Sequence, residues 1–389
     1  MENSKEKTMS IDKSIVSRRS FCIGAMAGVS LCGCRMFRRH SEYSVAVLGD
    51  THYDAEPESV YHSNYDESNK WAKIQHAEFK RNGEMWRERC PKLIAASAEL
   101  ASLHKTDFIL QQGDVIQGDC DHEPTHKKML HDCIGKLRAP YPKGLPFLTV
   151  MGNHDFRGKG ARTAYLDFAE PFMSAEIASV PNANHEGTPL HYPVFSFRNG
   201  DDLWVFCDFE TTNLQPIIDT IECGADARHT FLVTHGPFTA SDSQSFGWRL
   251  GGSAECNTLR PRLYETLSRH HAIVLSGHTH TTAYFRHESK FGSFCEYTSN
   301  AVWCRPELAK GEAVYSDPKD YGAMHLGIMT GRRLADFKAQ LDIFRPGLKG
   351  YFFSDAAGHG RLDVTDDAVT MSFYPGASKK PAQKFLLKG

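Results

Sequence analysis

Five short segments of this 389-residue chain end apolar runs in residues that hold hard or borderline metal ions. They are Gly49-Asp50-Thr51-His52, Gly113-Asp114, Gly152-Asn153-His154-Asp155, Thr234-His235-Gly236 and Gly277-His278-Thr279-His280. Carboxylates, imidazoles and one side-chain amide make a mixed nitrogen and oxygen donor set. Such a set suits Mn, Fe, Zn or Ni better than a soft metal. Alone, His235 reads as a loop histidine and Asp114 as a helix N-cap. Together, the five segments read as one site for two metal ions.

The residues before each segment say what positions it. Val45-Ala46-Val47-Leu48, Phe108-Ile109-Leu110, Phe147-Leu148-Thr149-Val150, Phe231-Leu232-Val233 and Ile273-Val274-Leu275 lack polar alternation. Runs of this kind are strands buried on both faces. Each stops within a few residues at a glycine beside a polar residue, where the chain can turn sharply and approach a bound group. Ligands of α/β sheets sit beyond the carboxyl ends of the strands. Five such ends are expected to converge.

With these residues in view, the chain resembles the calcineurin-like metallophosphoesterase superfamily. The pattern D-x-H, GD, GNH(D/E), a lone His after a strand, and GHxH runs in order from about Val45 to about Phe373. The resemblance implies that Asp50, His52 and His280 hold one metal ion. Asn153, His235 and His278 would hold the other, with Asp114 bridging. His154 would stand near the leaving group and Asp155 would orient it. Purple acid phosphatases, one branch of the family, carry an iron-ligating tyrosine three residues after the GD aspartate. Here that position is Gln117, which argues against a tyrosinate–iron site.

The chemistry needs these groups because the nucleophile must approach an anion. Two metal ions neutralise the phosphoryl oxygens and lower the pKa of water, so that hydroxide exists near neutral pH and attacks phosphorus. A protonated imidazole at His154 would donate to the departing oxygen, and a carboxylate at Asp155 would hold its ring.

The N-terminus reads as an address. Ser17-Arg18-Arg19-Ser20-Phe21 matches a twin-arginine export signal, and the apolar stretch after it is too short to span a bilayer. Leu31-Cys32-Gly33-Cys34 resembles a bacterial lipobox, with lipid expected on Cys34. Residues 1–33 are read as the signal and 34–44 as a tether. Residues 45–375 are read as the phosphoesterase domain, and 376–389 as a loose basic tail. The expected location is the periplasm or cell envelope, at a membrane through the lipid. Without 1–33 the formal charge goes from −2 to −4, since five basic and three acidic groups leave. No basic patch survives outside the tether, so nucleic acid is not the expected substrate. Apart from Cys22, Cys32 and the lipobox Cys34, eight of the eleven cysteines remain. Cys207, inside an apolar run, reads as a buried free thiol, and no pairing can be assigned.

The fold class read from these elements, together with the resemblance, is α/β. It is a four-layer αββα sandwich of two mixed β-sheets flanked by helices. A helix over 86–103 links the Asp50 strand to the Asp114 strand as a crossover. Val194–Phe197 with Leu203–Cys207 reads as a hairpin, and 360–373 as a second one that closes the second sheet. Insertions at about 53–83, 156–192 and 237–262 leave from ligand-bearing strand ends and are expected to roof the site. Within them Tyr61 or Trp248 could stack on a base or sugar, and Arg157 or Arg249 could grip a phosphate. The functional expectation is a di-metal hydrolase of a small phosphate ester, with a phosphodiesterase read first. A phosphomonoesterase is the alternative, and a non-catalytic metal-binding scaffold the distant one.

Overall fold

The computed structural model describes residues 42–54, 61, 70–184, 193–240, 249–252, 256, 258–302, 314–326 and 330–389. The export signal, Cys34, most of the tether, Trp248 and Cys304 lie outside these residues. His40–Gly389 forms one compact unit.

In chain order the elements begin β1 (Tyr43–Leu48), α1 (Lys70–Glu88), α2 (Cys90–Leu103), β2 (Phe108–Gln111), α3 (Glu123–Arg138) and β3 (Phe147–Thr149). Then come α4 (Ala161–Ser179), β4 (Ala183–Asn184), β5 (Val194–Asn199), β6 (Asp202–Cys207), α5 (Gln215–Cys223), β7 (Thr230–Thr234) and α6 (Arg260–Arg269). The chain continues through β8 (Ile273–Ser276), β9 (Thr282–Ser289), β10 (Gly292–Thr298), β11 (Val314–Tyr315) and α7 (Gly331–Phe344). It closes with β12 (Leu348–Ser354), β13 (Gly358–Val364), β14 (Val369–Pro375) and β15 (Gln383–Lys388). One sheet has the order β15-β14-β13-β1-β2-β3, and the other β11-β12-β9-β10-β8-β7-β6-β5-β4. In the first, β1, β2 and β3 run parallel. In the second, β6, β7, β8 and β10 do. The remaining pairs are antiparallel, so both sheets are mixed.

The two-residue period of a strand explains the layers. Val45, Val47, Phe108 and Leu110 of the first sheet share one core with Trp204, Phe206, Phe231, Val233, Ile273 and Leu275 of the second. The alternate residues Ala46, Leu48 and Ile109 face a different core with Leu93, Ile94, Met129 and Tyr165 of α2, α3 and α4. Leu203, Val205, Leu232 and Val274 face a third, with Ile217, Leu263 and Phe337 of α5, α6 and α7. Every apolar run is therefore buried on both faces, and the αββα sandwich follows.

Several expectations change. The helix over 86–103 is broken at Arg89, because Pro91 lacks an N–H and can only restart a helix at its first turn. Leu103 is exposed rather than packed on the sheet. The 360–373 hairpin is real, but it joins the first sheet beside β1, not the second. Within 156–192, Ala161–Ser179 form α4, which packs in an outer helical layer. The tail is not loose: β15 pairs with β14 as an edge strand. Phe385 and Leu387 are buried, while Leu386 between them is exposed. Seven described cysteines are free, and only Cys223 of these is exposed, so Cys207 is a buried thiol.

On β10, Glu296 is buried with Oε1 accepting from Phe238 N at 2.7 Å and Oε2 from Thr239 N at 2.8 Å. It holds the loop that follows His235. Burial pushes its carboxyl up to about 7 from the ordinary 4.5, against the pull of those donors. The folded state then binds a proton that the unfolded state has already released. Stability from this group is full below pH 4.5 and is lost as pH rises through 7. Denaturant titrations at pH 5 and pH 8 should show wild type losing about 2 kcal/mol relative to Glu296→Gln over that window; parallel profiles would contradict it. For β15, the Phe385 ring lies 4.9 Å from Tyr284 and 5.1 Å from Phe352, both in the second sheet. Phe385→Ala should cost about 3 kcal/mol in chemical denaturation, and a loss near zero would show that the tail is dispensable.

Candidate metal centre

The five segments leave the carboxyl ends of β1, β2 and β3 in one sheet and β7 and β8 in the other, and their side chains meet. Their backbones are laced first. Thr51 N and His52 N both donate to Asp114 O, at 3.0 and 2.9 Å, and Gly277 N donates to His235 O at 3.0 Å. Gln111, at the end of β2, is fully buried. Its Nε2 donates to Gly113 O at 2.6 Å and Gly49 O at 3.2 Å, and its Oε1 accepts from Gly113 N at 3.0 Å and Thr149 Oγ1 at 2.5 Å. One amide thereby joins three ligand loops. A polar residue closing an apolar run was its signal in the sequence.

Four of the expected ligands, His52, Asp114, His278 and His280, have positive φ. Left-handed backbone at non-glycine residues costs energy and clusters where a site is held under constraint. Glycine is required beside them. A Cβ on Gly152 would run into Asp114 Oδ1, and one on Gly277 into Asp50 Oδ1.

The donor atoms form two groups sharing one carboxylate. In the first, His52 Nε2 lies 3.0 Å from His280 Nε2, and Asp50 Oδ2 lies 3.0 Å from His280 Nε2 and 3.7 Å from His52 Nε2. In the second, His235 Nε2 lies 3.1 Å from Asn153 Oδ1 and 3.2 Å from His278 Nδ1. Asp114 Oδ2 lies 3.6 Å from His52 Nε2 and 3.2 Å from His235 Nε2, so it faces both. The other oxygens are already engaged. Asp50 Oδ1 accepts from His278 N at 3.0 Å and Asp114 Oδ1 from His154 N at 2.7 Å. His235 Nδ1 donates to Gln112 O at 2.8 Å, which leaves Nε2 with its lone pair pointed inward.

Metal ions fit these groups. Asp50 Oδ2 is buried with no hydrogen-bond donor well aligned on it. Imidazole nitrogens that face each other at 3.0 to 3.2 Å point their lone pairs at a common centre. The electrostatics agree in direction. Burial alone would raise Asp50 and Asp114, but His235 foremost among the neighbouring imidazoles outweighs it and holds both below the usual carboxylate range. Burial alone would lower His235, but Asp114 and Asp50 raise it to about 9. The pocket asks for positive charge.

His154 is buried beside the ligands, its ring 4.4 Å from that of His52. Its Nδ1 faces Gln117 O at 2.9 Å. The expectation for Asp155 needs correction. Its Oδ1 accepts from Ile116 N at 3.1 Å and its Oδ2 from Gly152 N at 2.9 Å. It shapes the GD and GN turns and does not hold the His154 ring. Arg157 contacts that ring instead. Phe209, after β6, was not marked in the sequence; its ring lies 5.0 Å from His278 and 5.4 Å from His235. Tyr61 and Arg249 leave the list of substrate contacts. Tyr61 is buried and donates to Asp132 at 2.6 Å, and Arg249 is buried, donating to Phe238 O and Gln340.

Comparison with solved structures gives likenesses of low identity. GAP50, described as the anchor in the inner membrane complex of Plasmodium, is 12% identical, with 89% of each chain covered and a TM-score of 0.47. The purple acid phosphatase PPD1 of yellow lupin is 11% identical, covering 90% of this chain and 54% of that one, with a TM-score of 0.48. A dimetal phosphatase from Danio rerio is 10% identical, covering 89% and 98%, with a TM-score of 0.49. No curated protein matches the chain. The sequence matches the calcineurin-like phosphoesterase family over residues 43–282, more than half its length and all five metal-donor segments, and with the Asp/His clusters above, the chain belongs to that family and is a metallophosphoesterase.

Proposed function

We propose that this protein is a two-metal phosphodiesterase acting outside the cytoplasm, with Asp50, His52 and His280 on one ion, Asn153, His235 and His278 on the other, and Asp114 on both. The observation that carries this reading is the placement of Asp114 Oδ2 within 3.6 Å of His52 Nε2 and 3.2 Å of His235 Nε2. Bound there, two divalent or trivalent ions supply Lewis acidity to the phosphoryl group and a hydroxide near neutral pH. The chain's own residues do the rest. Gln111 and the glycines fix the donors before substrate arrives, and His154 stands where a leaving oxygen would depart. Phe209 and Phe156, with ring centres 6.3 Å apart and both partly exposed, give the centre an apolar side. An ester group larger than hydrogen could lie against it, which favours a diester over a monoester.

The deciding comparison is hydrolysis of bis(p-nitrophenyl) phosphate against p-nitrophenyl phosphate by the Mn²⁺-loaded protein. The diester should turn over faster, and Asp114→Asn should abolish it. A faster monoester makes the protein a phosphatase or nucleotidase. No turnover of either, with two metals bound, brings a scaffold or a very selective roof to the front.

The twin-arginine segment and the Cys34 lipobox support export and a lipid attachment to a membrane. In a bacterial host the protein should fractionate with membranes outside the cytoplasm, and Cys34→Ser should release it from them. A wild type recovered in the cytoplasm would remove the export reading.

A further inference from the structure

Arg157 is the cation nearest His154 among the described residues, and its geometry is built rather than incidental. The loop after Asp114 and the loop after His154 are laced together at this point. Asp119 N donates to Arg157 O at 2.6 Å, Arg157 N to His154 O at 3.2 Å, and Cys120 pairs with Gly158 in a parallel bridge. Gly118 and Asp119 both have positive φ, so the turn that brings them here is a constrained one. A Cβ on Gly118 would strike the His154 carbonyl oxygen. The guanidinium then has a fixed starting point. Its Nη2 lies 2.5 Å from Asp119 Oδ2, and its Nη1 lies 2.8 Å from His154 Nε2 and 3.0 Å from Nδ1.

The two ends of this guanidinium are unequal. Nη2 is bound to a carboxylate, while Nη1 faces an imidazole whose Nδ1 already meets the Gln117 carbonyl. Nη1 is shared between the two ring nitrogens, at 2.8 and 3.0 Å, and so is not aligned on the lone pair of either one. A bond to a neutral acceptor is weaker than one to an anionic oxygen. An arriving phosphoryl group is anionic, and the fork of an arginine matches its oxygens. Arg157 is also about a quarter exposed, so solvent and substrate reach it. His154 in turn lies with His52 and Asp114 in one donor group, so the guanidinium stands one imidazole away from the metal ligands.

We infer that Arg157, held by Asp119, is a substrate-binding residue of this site that takes an oxygen of the bound phosphoryl group and in doing so moves off the His154 ring. Nη1 exchanges a neutral partner for an anionic one, and Nη2 stays on Asp119. No bond to phosphorus is made or broken by this exchange. The inference rests on the phosphoesterase reading above.

The test is calorimetric binding of inorganic phosphate to the purified full chain with its metal content measured, which reads the site whether or not either nitrophenyl ester turns over. Arg157→Met should weaken phosphate by about tenfold or more at unchanged metal content. Arg157→Lys should recover part of the loss, since lysine keeps the charge and loses the fork. Asp119→Asn should weaken phosphate by about threefold by leaving the guanidinium unheld. If Arg157→Met does not fold, as judged by circular dichroism, the lysine and asparagine variants carry the test alone. Phosphate affinity within about twofold of wild type in all three variants, with metals matched, overturns the inference. So does a metal-loaded wild type that binds no phosphate. Phosphate binding that depends on Arg157 in a protein that hydrolyses neither ester sustains the inference and removes the phosphodiesterase reading.

Discussion

The constraint on which the rest depends is the burial of two carboxylates and several imidazoles in one pocket at the meeting point of two sheets. Such a cluster is unfavourable in a low-dielectric interior unless positive charge compensates it. Asp114 and Asp50 hold the His235 imidazole above its ordinary range, which marks this pocket as one that favours positive charge. Other costs at this end of the molecule are tolerated for the same arrangement. Four donor residues take left-handed backbone, and two glycines give up side chains so that Asp50 and Asp114 can lie against the chain. Folding energy from three apolar cores supports these local strains.

What the sequence made legible was the part governed by local rules. Apolar runs without alternation announced strands buried on both faces, and a glycine beside a donor announced the turn that follows. The seven expected metal donors do meet at those turns. What stayed hidden depends on contacts between loops distant in sequence. Nothing near Asp155 says that its oxygens go to Ile116 N and Gly152 N rather than to the neighbouring imidazole. The left-handed turn at Gly118 and Asp119 decides that Arg157 meets His154. Arg249 looked like a phosphate ligand by charge alone, whereas a carbonyl and an amide on buried elements claim it. The tail misled for a different reason. Its lysines stand out in the composition, and the run Phe385-Leu386-Leu387 does not say that its first and third side chains are buried while Leu386 is exposed.

The site draws donors from both sheets, so its dimensions are set by how the sheets are held. Asp50, Asp114 and Asn153 come from the first, and His235 and His278 from the second. A shift of one sheet over the other would pull the two donor groups apart at Asp114. The shared apolar core resists sliding only through packing, which is non-directional. Directional contacts are found at the far end of the strands. Tyr43, which opens β1, donates to Asp202 Oδ2 of β6 at 2.9 Å, and Trp204 Nε1 of β6 donates to Tyr43 Oη at 3.0 Å. Asp202 is fully buried and is met by both ends of the Arg228 guanidinium, at 2.8 and 2.7 Å. A buried, fully bonded polar cluster of this kind fixes register where apolar packing alone would allow alternatives. The sandwich is thus pinned by hydrogen bonds at the amino ends of β1 and β6, and the metal donors occupy the opposite end. Between the two lie short strands of apolar residues, stiff enough for a pin at one end to define distances at the other.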